Sequence, residues 1–227
     1  AREVRQAGHA FIEMKRRIER AIDQRTTLLN GVSHDLRTIL TRFKLSLALL
    51  EPSDDVRDME RDIDEMSRML EGYLAFARGD SGEQAAPTDL HALLAEICAD
   101  AERQGHATRL HIAGDPQVVV RPDAFRRLAF NLVSNAARHG ETIAINANHE
   151  SRWLVMHVDD DGPGIPPELR EEVFKPFVRL DEARNQDESG SGLGLAIARD
   201  IARSHGGDIS LEDSPLGGLR ASLRIPA

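Results

Sequence analysis

Apolar positions recur along the first part of the chain at alternating spacings of 3 and 4: Val4, Ala7, Phe11, Met14, Ile18, Ala21, Arg25, Leu28, Val32, Asp35 and Ile39, with polar exceptions at 25 and 35. This is the heptad seam of a coiled coil, and it predicts one long helix over about 3–50. Pro52-Ser53-Asp54-Asp55 then breaks the helix and offers N-caps. Val56, Met59, Ile63, Met66, Leu70, Tyr73 and Ala77 resume the spacing in a second helix over about 54–78. A hairpin with two long apolar seams cannot bury both of them alone. Two copies pairing into a four-helix bundle is the economical solution, so a homodimer is expected. The alternative is a hairpin packed on its own C-terminal domain.

The pattern changes at Gly79-Asp80-Ser81-Gly82-Glu83-Gln84-Ala85-Ala86-Pro87, which is small, polar and aperiodic, the composition of an interdomain linker. Beyond it the periodicity predicts a helix at 89–104, short strands near 107–112 and 117–121, a helix at 122–138, and alternating strands at 142–149 and 152–159. A Gly/Pro loop at 161–167 and a polar stretch at 178–191 precede a helix at 192–205 and a strand pair near 208–213 and 219–225. Helices mixed with mostly antiparallel strands imply an α/β sandwich, one sheet covered by helices on one face.

At 227 residues, 41% hydrophobic and 30% charged, the chain is long and apolar enough for two ordinary domains. Its net charge of −9 would repel a nucleic acid backbone, and no basic stripe interleaved with aromatics overrides that average, so no nucleic acid partner is expected. The lone Cys98 falls among Leu93, Leu94 and Ile97 and reads as a buried free thiol, which fits a reducing compartment. No run approaches the ~18 apolar residues of a membrane span, and no charged-then-apolar leader opens the chain. Residues 1–22 carry the helical repeat without an N-cap ahead of it, the expectation being that they continue a longer protein.

Candidate chemistry sits in the second half. Asn131 and Asn135 lie four residues apart on one helix face, with Arg138 and His139 following at its C-terminal end. Amide oxygens suit Mg²⁺ and a cation suits phosphate oxygens, although asparagines on helices are also commonly solvated or capping. Val158-Asp159-Asp160-Asp161-Gly162-Pro163-Gly164-Ile165 places an Asp at a strand end before two alternate glycines. A carboxylate there can accept from the exocyclic amine of adenine, whereas guanine presents a carbonyl. A plain turn competes with this reading. A calcium loop lacks the later acidic ligand. Gly190-Ser191-Gly192-Leu193-Gly194-Leu195 opens an apolar helix, whose free N–H groups and dipole form an anion site. It is neither a P-loop, lacking Gly-Lys-Ser/Thr, nor a dinucleotide fingerprint, lacking the preceding strand.

In this order the motifs resemble the ATP-binding domain of histidine kinases, part of the ATPase class shared with gyrase, Hsp90 and MutL. Asn131 and Asn135 match the N box, Asp160-Asp161-Gly162-Pro163-Gly164 the first glycine box, Phe174 and Phe177 the F box, and Gly190, Gly192, Leu193 and Gly194 the second glycine box. Gly217-Gly218 resembles the last. The resemblance implies ATP and Mg²⁺ as cofactors, with Asn135 holding the metal, Asp160 the adenine amine, Arg138 and His139 near the phosphates, and 178–191 a lid. Core packing is a second role for Phe174 and Phe177.

Gly31-Val32-Ser33-His34-Asp35-Leu36-Arg37-Thr38 resembles the phosphoacceptor box of the same kinases, in the wording of the EnvZ-like osmosensor group. The fold implied is α + α/β: a dimeric four-helix-bundle hairpin followed by an α/β-sandwich ATP-binding domain of the gyrase/Hsp90/histidine kinase/MutL type. Residues 1–22 resemble the end of a HAMP signalling helix, 23–80 the phosphotransfer hairpin, 81–88 a linker and 89–227 the catalytic domain. His34 would be the phosphoacceptor and Asp35 its base. Asp35-x-x-Thr38 resembles a phosphatase signature, while Thr38 bonding back to a helix carbonyl is the plain alternative. The expected partner is a response regulator receiver domain of OmpR-like type. The expected location is the cytoplasmic portion of an inner-membrane sensor, reached by membrane only through a part preceding this sequence. Ile39 departs from the family pattern, which has Pro after the Thr. Two other readings are carried: an ATP hydrolase or clamp of the gyrase–Hsp90 class, and a catalytically impaired dimeric scaffold.

Overall fold

The computed structural model describes residues 13–14, 16–17, 31–32, 35–51, 53–78, 83–180 and 192–227. His34, Gly190, most of the HAMP-like segment 1–22 and the lid residues 181–191 therefore lie outside the described residues. The chain divides into two compact units, Ala1–Arg78 and Gly79–Ala227.

In the first unit, helix α1 runs without interruption over 35–47 and α2 over Asp54–Arg78. The Ser53 hydroxyl accepts from the Val56 amide at 3.2 Å, so the N-cap expected after Pro52 comes from Ser53. Leu40 and Leu47 are buried, Val56, Ile63, Ser67 and Leu70 are half-buried, and Lys44 pairs with Asp64 across the hairpin. A different row stays bare: Val32, Leu36, Ile39, Phe43 and Leu50 are all exposed, at intervals of 4, 3, 4 and 7. Among the described residues of α1 the apolar positions thus fall on two rows, one buried at Leu40 and Leu47 and one exposed.

The second unit opens with strand β1 (Ala86–Asp89), helix α3 (Leu90–Arg103), β2 (Ala107–Gly114), β3 (Gln117–Val120) and α4 (Pro122–His139). It continues with β4 (Thr142–Glu150), β5 (Trp153–Asp160), two short 3₁₀ turns at Pro167–Leu169 and Glu172–Phe174, α5 (Gly194–Ser204), β6 (Asp208–Asp213) and β7 (Leu219–Pro226). Five strands form one sheet in the order β2-β4-β5-β7-β6, with β2 parallel to β4 and every other pair antiparallel. Alternation decides its faces. Ile143, Ile145, Leu154, Met156, Val158, Ile209, Leu211, Leu219, Ala221, Leu223 and Ile225 are buried, while their neighbours are mostly half-buried or exposed. The buried face receives Leu90, Leu94 and Ile97 of α3, Phe125, Leu128 and Leu132 of α4, and Ile197 and Ile201 of α5. Full burial of a side chain such as Phe125 contributes about 2–3 kcal/mol.

Two features differ from the sequence expectation. The strand near 117–121 does not join the main sheet; it pairs antiparallel with β1 in a sheet of its own. β1 itself begins inside the stretch read as linker, because Ala86-Pro87 carries no alternation and gains its structure from pairing with Val119 and Val120.

Helix α4 starts at Pro122, and Arg121 before it provides no side-chain cap. The cap comes from forty residues upstream: Glu83 accepts from the Asp123 amide at 2.7 Å and from the Ala124 amide at 3.0 Å. Its carboxylate satisfies two orphan donors and faces the positive end of the helix dipole. Glu83→Ala is expected to cost the second unit about 1 kcal/mol in chemical denaturation, with Glu83→Gln intermediate.

Candidate functional site

The three consecutive aspartates at the end of β5 have three different partners. Asp159 is bound at two points by Arg220 of β7, with Nε at 2.7 Å and Nη2 at 3.0 Å. Asp161 Oδ1 accepts from the Glu141 and Thr142 amides at 2.8 and 3.0 Å. Hydrogen bonding from Thr142, backbone first, holds the Asp161 carboxyl below the usual carboxylate range. Asp160, 3% exposed, takes the Gly162 amide at 2.9 Å and the Leu219 amide at 3.0 Å on Oδ1. Its Oδ2 accepts no hydrogen bond among the described residues. The three carboxylates therefore do not converge as a calcium loop would require, and no three His, Cys, Asp or Glu among the described residues could hold a metal ion.

Glycines close the main chain around Asp160. A Cβ on Gly218 would stand 2.2 Å from Asp160 Oδ1, and one on Gly162 would stand 2.4 Å from the His139 carbonyl oxygen. Gly164 has a φ of +69° and lies against the Gly218 carbonyl. The C-terminal end of α4, the 161–164 loop and the start of β7 thus meet at one carboxylate.

Asn131 and Asn135 are half-buried on α4, and neither side-chain amide makes a hydrogen bond among the described residues. A Cβ on Gly194 would lie 3.5 Å from Asn131 Oδ1, so the first residue of α5 is next to the asparagine pair. Leu193 precedes that helix and gives it no side-chain cap. Gly192, at φ +65°, passes so close to Phe177 that a Cβ would come within 2.9 Å of the Phe177 carbonyl carbon, and its own carbonyl accepts from the Phe177 amide at 3.0 Å. The structure thus shows two groups along α4: Gly194 beside Asn131, and Asp160, Gly162, Gly164 and Gly218 gathered where Gly162 meets the His139 carbonyl at its C-terminal end. Arg138 and His139 are exposed at the end of α4. Asp35 and Thr38 lie in the first unit, both exposed on α1.

The ATPase family described as histidine kinase-, DNA gyrase B- and HSP90-like matches residues 120–227, and the His Kinase A (phospho-acceptor) domain matches 24–82. The sensor histidine kinase GtrS of Pseudomonas aeruginosa is 38% identical over the whole chain, which covers 47% of that protein. The sensor histidine kinase CpxA of Escherichia coli is 34% identical over 97% of this chain and 51% of its own length. The solved ATP-binding domain of PrrB from Mycobacterium tuberculosis is 31% identical, with 63% of this chain and 98% of that one covered at a TM-score of 0.53. The chain belongs to the sensor histidine kinase family. It spans about half the length of the curated relatives it matches. Two aromatic residues of the F box, expected to share a packing role, differ in this family member: Phe174 is buried and Phe177 is 56% exposed. The left-handed φ of 67° at Phe177 turns the chain there, so only Phe174 serves the core.

Sequence reasoning missed the group that holds the F box in place. Arg199 of α5 lies 4.2 Å over the Phe174 ring, donates to Glu171 at 2.7 Å and binds Asp208 at 2.8 Å. Arg203 adds a bond to Asp208 at 3.1 Å. Only an arginine recurring one turn before another on α5, Arg199 and Arg203, hinted at it. Burial alone would raise the Asp208 carboxyl, but bonds from Arg199, Arg203 and the Ile209 amide outweigh it and hold it at about 2. A depressed carboxyl contributes stability above its unfolded value of about 4 and loses it as pH falls through about 2. The melting temperature of the unmodified chain should therefore fall more steeply from pH 4 to 2 than that of Asp208→Asn. Gly218→Ala, which places a methyl on Asp160, is expected to cost about 2 kcal/mol in the same melts at neutral pH.

Proposed function

We propose that this chain is the catalytic core of a dimeric, ATP- and Mg²⁺-dependent protein-histidine kinase that phosphorylates its own His34 and passes the phosphoryl group to an aspartate on a response regulator. One observation supports the reading best: the buried Asp160 carboxylate is held on one oxygen by two main-chain amides, in a chain that also matches a phospho-acceptor domain.

Asp160 Oδ2 accepts from the exocyclic amine of adenine, and Gly162, Gly164 and Gly218 let the backbone approach the base. The α5 N-terminus, with Gly190, Gly192, Leu193 and Gly194, binds the phosphates, and Arg138 and His139 add donors beside them. Phe177 directly precedes the stretch 178–191 that would serve as the lid. Magnesium, when bound, neutralises the phosphate oxygens, and Asn135, helped by Asn131, would hold it. An amide oxygen with no protein carboxylate cage fits a cation that keeps its water and phosphate ligands. The lone-pair nitrogen of neutral His34 attacks the γ-phosphorus. An N–P bond forms, the bridging β–γ bond breaks, ADP leaves, and the proton on the other ring nitrogen passes to Asp35.

Thr38, exposed on α1 one turn beyond, orients a water against the phospho-aspartate of a docked OmpR-type regulator, which would make the protein a phosphatase as well. The open heptad row Val32, Leu36, Ile39, Phe43 and Leu50 is the face a second copy covers. The HAMP-like start supports attachment to an inner-membrane sensor. The boundaries proposed for these parts are 1–22, 23–80, 81–88 and 89–227, the last preceded by the paired strand β1. An ATP clamp of the gyrase–Hsp90 class would have no use for a phospho-acceptor domain, and an impaired scaffold no need of Asn135 and Asp160.

Incubation with γ-labelled ATP and Mg²⁺ is expected to give acid-labile, base-stable label that is absent in His34→Gln and reduced about a hundredfold in Asn135→Ala. ATP hydrolysis without retained label would favour the clamp. Ile39 stands where the family pattern has proline, and α1 passes through it unbroken. Ile39→Pro removes a helix hydrogen bond at about 3 kcal/mol, and the ratio of autokinase to phosphatase rate should shift several-fold. Two unchanged rates would refute a role for that straightness.

A further inference from the structure

Asp159 is 1% exposed and no step above uses it. A buried carboxylate needs a partner, and its partner is Arg220, bound through two parallel bonds at 2.7 and 3.0 Å. The two residues face each other in the β5–β7 ladder as its last rung, from Trp153 opposite Pro226 at one end to Asp159 opposite Arg220 at the other. Asp160, the next residue of β5, accepts from the amide of Leu219, the residue just before Arg220. Successive side chains of a strand point to opposite faces. Two consecutive residues of β5 are thus held by two consecutive residues of β7, one pair on each side of the sheet.

The segment between has no slack. The Gly218 amide donates to the Asp160 carbonyl at 3.2 Å, and Gly218 has no space for a Cβ against Asp160 Oδ1. Wherever the start of β7 moves, the Leu219 amide moves with it. A guanidinium–carboxylate fork fixes angle as well as distance, which a single-point ammonium does not.

We propose that the Asp159–Arg220 pair is the positioning device for Asp160: it locks the last rung of the β5–β7 ladder so that the Leu219 amide holds Oδ1 and leaves Oδ2 aimed at the adenine amine. The inference rests on the reading of this pocket as an ATP site and adds the residues that set its choice of base.

The test compares Mg²⁺-dependent binding of ATP with that of purine riboside triphosphate, which lacks the 6-amino group, on the full chain. Arg220→Lys keeps the charge and loses the fork. Asp159→Asn combined with Arg220→Gln removes both charges, so no unpaired ion is left buried. In each, thermal melts verify folding. ATP affinity should fall about tenfold while purine riboside triphosphate changes less than about twofold, the size of one hydrogen bond to a charged group. Arg220→Lys should retain more preference for ATP than the double variant. Equal weakening of both nucleotides would make the pair a structural brace only, and unchanged ATP affinity would remove it altogether; either overturns the proposal. An unmodified chain that binds the two nucleotides equally would overturn the role of Asp160 itself, a failure visible before any substitution is made.

Discussion

The amides of Gly162 and Leu219, both donating to Asp160 Oδ1, join segments nearly sixty residues apart in sequence. That single oxygen sets how closely the 161–164 loop, the end of β5 and the start of β7 can approach. The glycines at 162 and 218 follow from it, since a Cβ at either would enter space held by the carboxylate, a main-chain amide or the His139 carbonyl. A carboxylate engaged on one oxygen by the main chain cannot rotate freely. Its other oxygen is then available in one direction, which is what recognition of a base edge demands.

Two further charged groups tie elements of the second unit together. Glu83 tethers the entry of the second unit to the N-terminus of α4, the helix that carries Asn131 and Asn135. Arg199 ties the turn bearing Phe174 to α5 and β6 at once. The same turn that buries Phe174 leaves Phe177 exposed.

The first unit obeys a different economy. Leu40 and Leu47 are buried, while the row from Val32 to Leu50 stays exposed. Large apolar side chains exposed at heptad spacing, interrupted here at Ser46, are costly in water, and a symmetric second copy removes that cost with the same residues on both sides. Ile39 belongs to this open row, so replacing proline with isoleucine adds to the seam and preserves the helix in one step.

Periodicity and motif order made much of this legible in advance. The 3–4 spacing marked the second helix to its ends at Asp54 and Arg78, and alternation marked β4 to β7, because each is a local property repeated along the chain. What local pattern could not carry was partnership at a distance. The pairing of β1 with β3, the capping of α4 by Glu83, the division of labour among Asp159, Asp160 and Asp161, and the Arg199 group all join residues well separated in sequence. In the linear chain Asp159, Asp160 and Asp161 are three like carboxylates; the sheet sends the first to Arg220, the second to main-chain amides and the third to the start of β4. Local pattern along the chain was enough to say which elements form and which residue types are present for the chemistry. Which carboxylate is held with an oxygen to spare depends instead on the register of β7 against β5, and register is set by contacts that no local stretch contains.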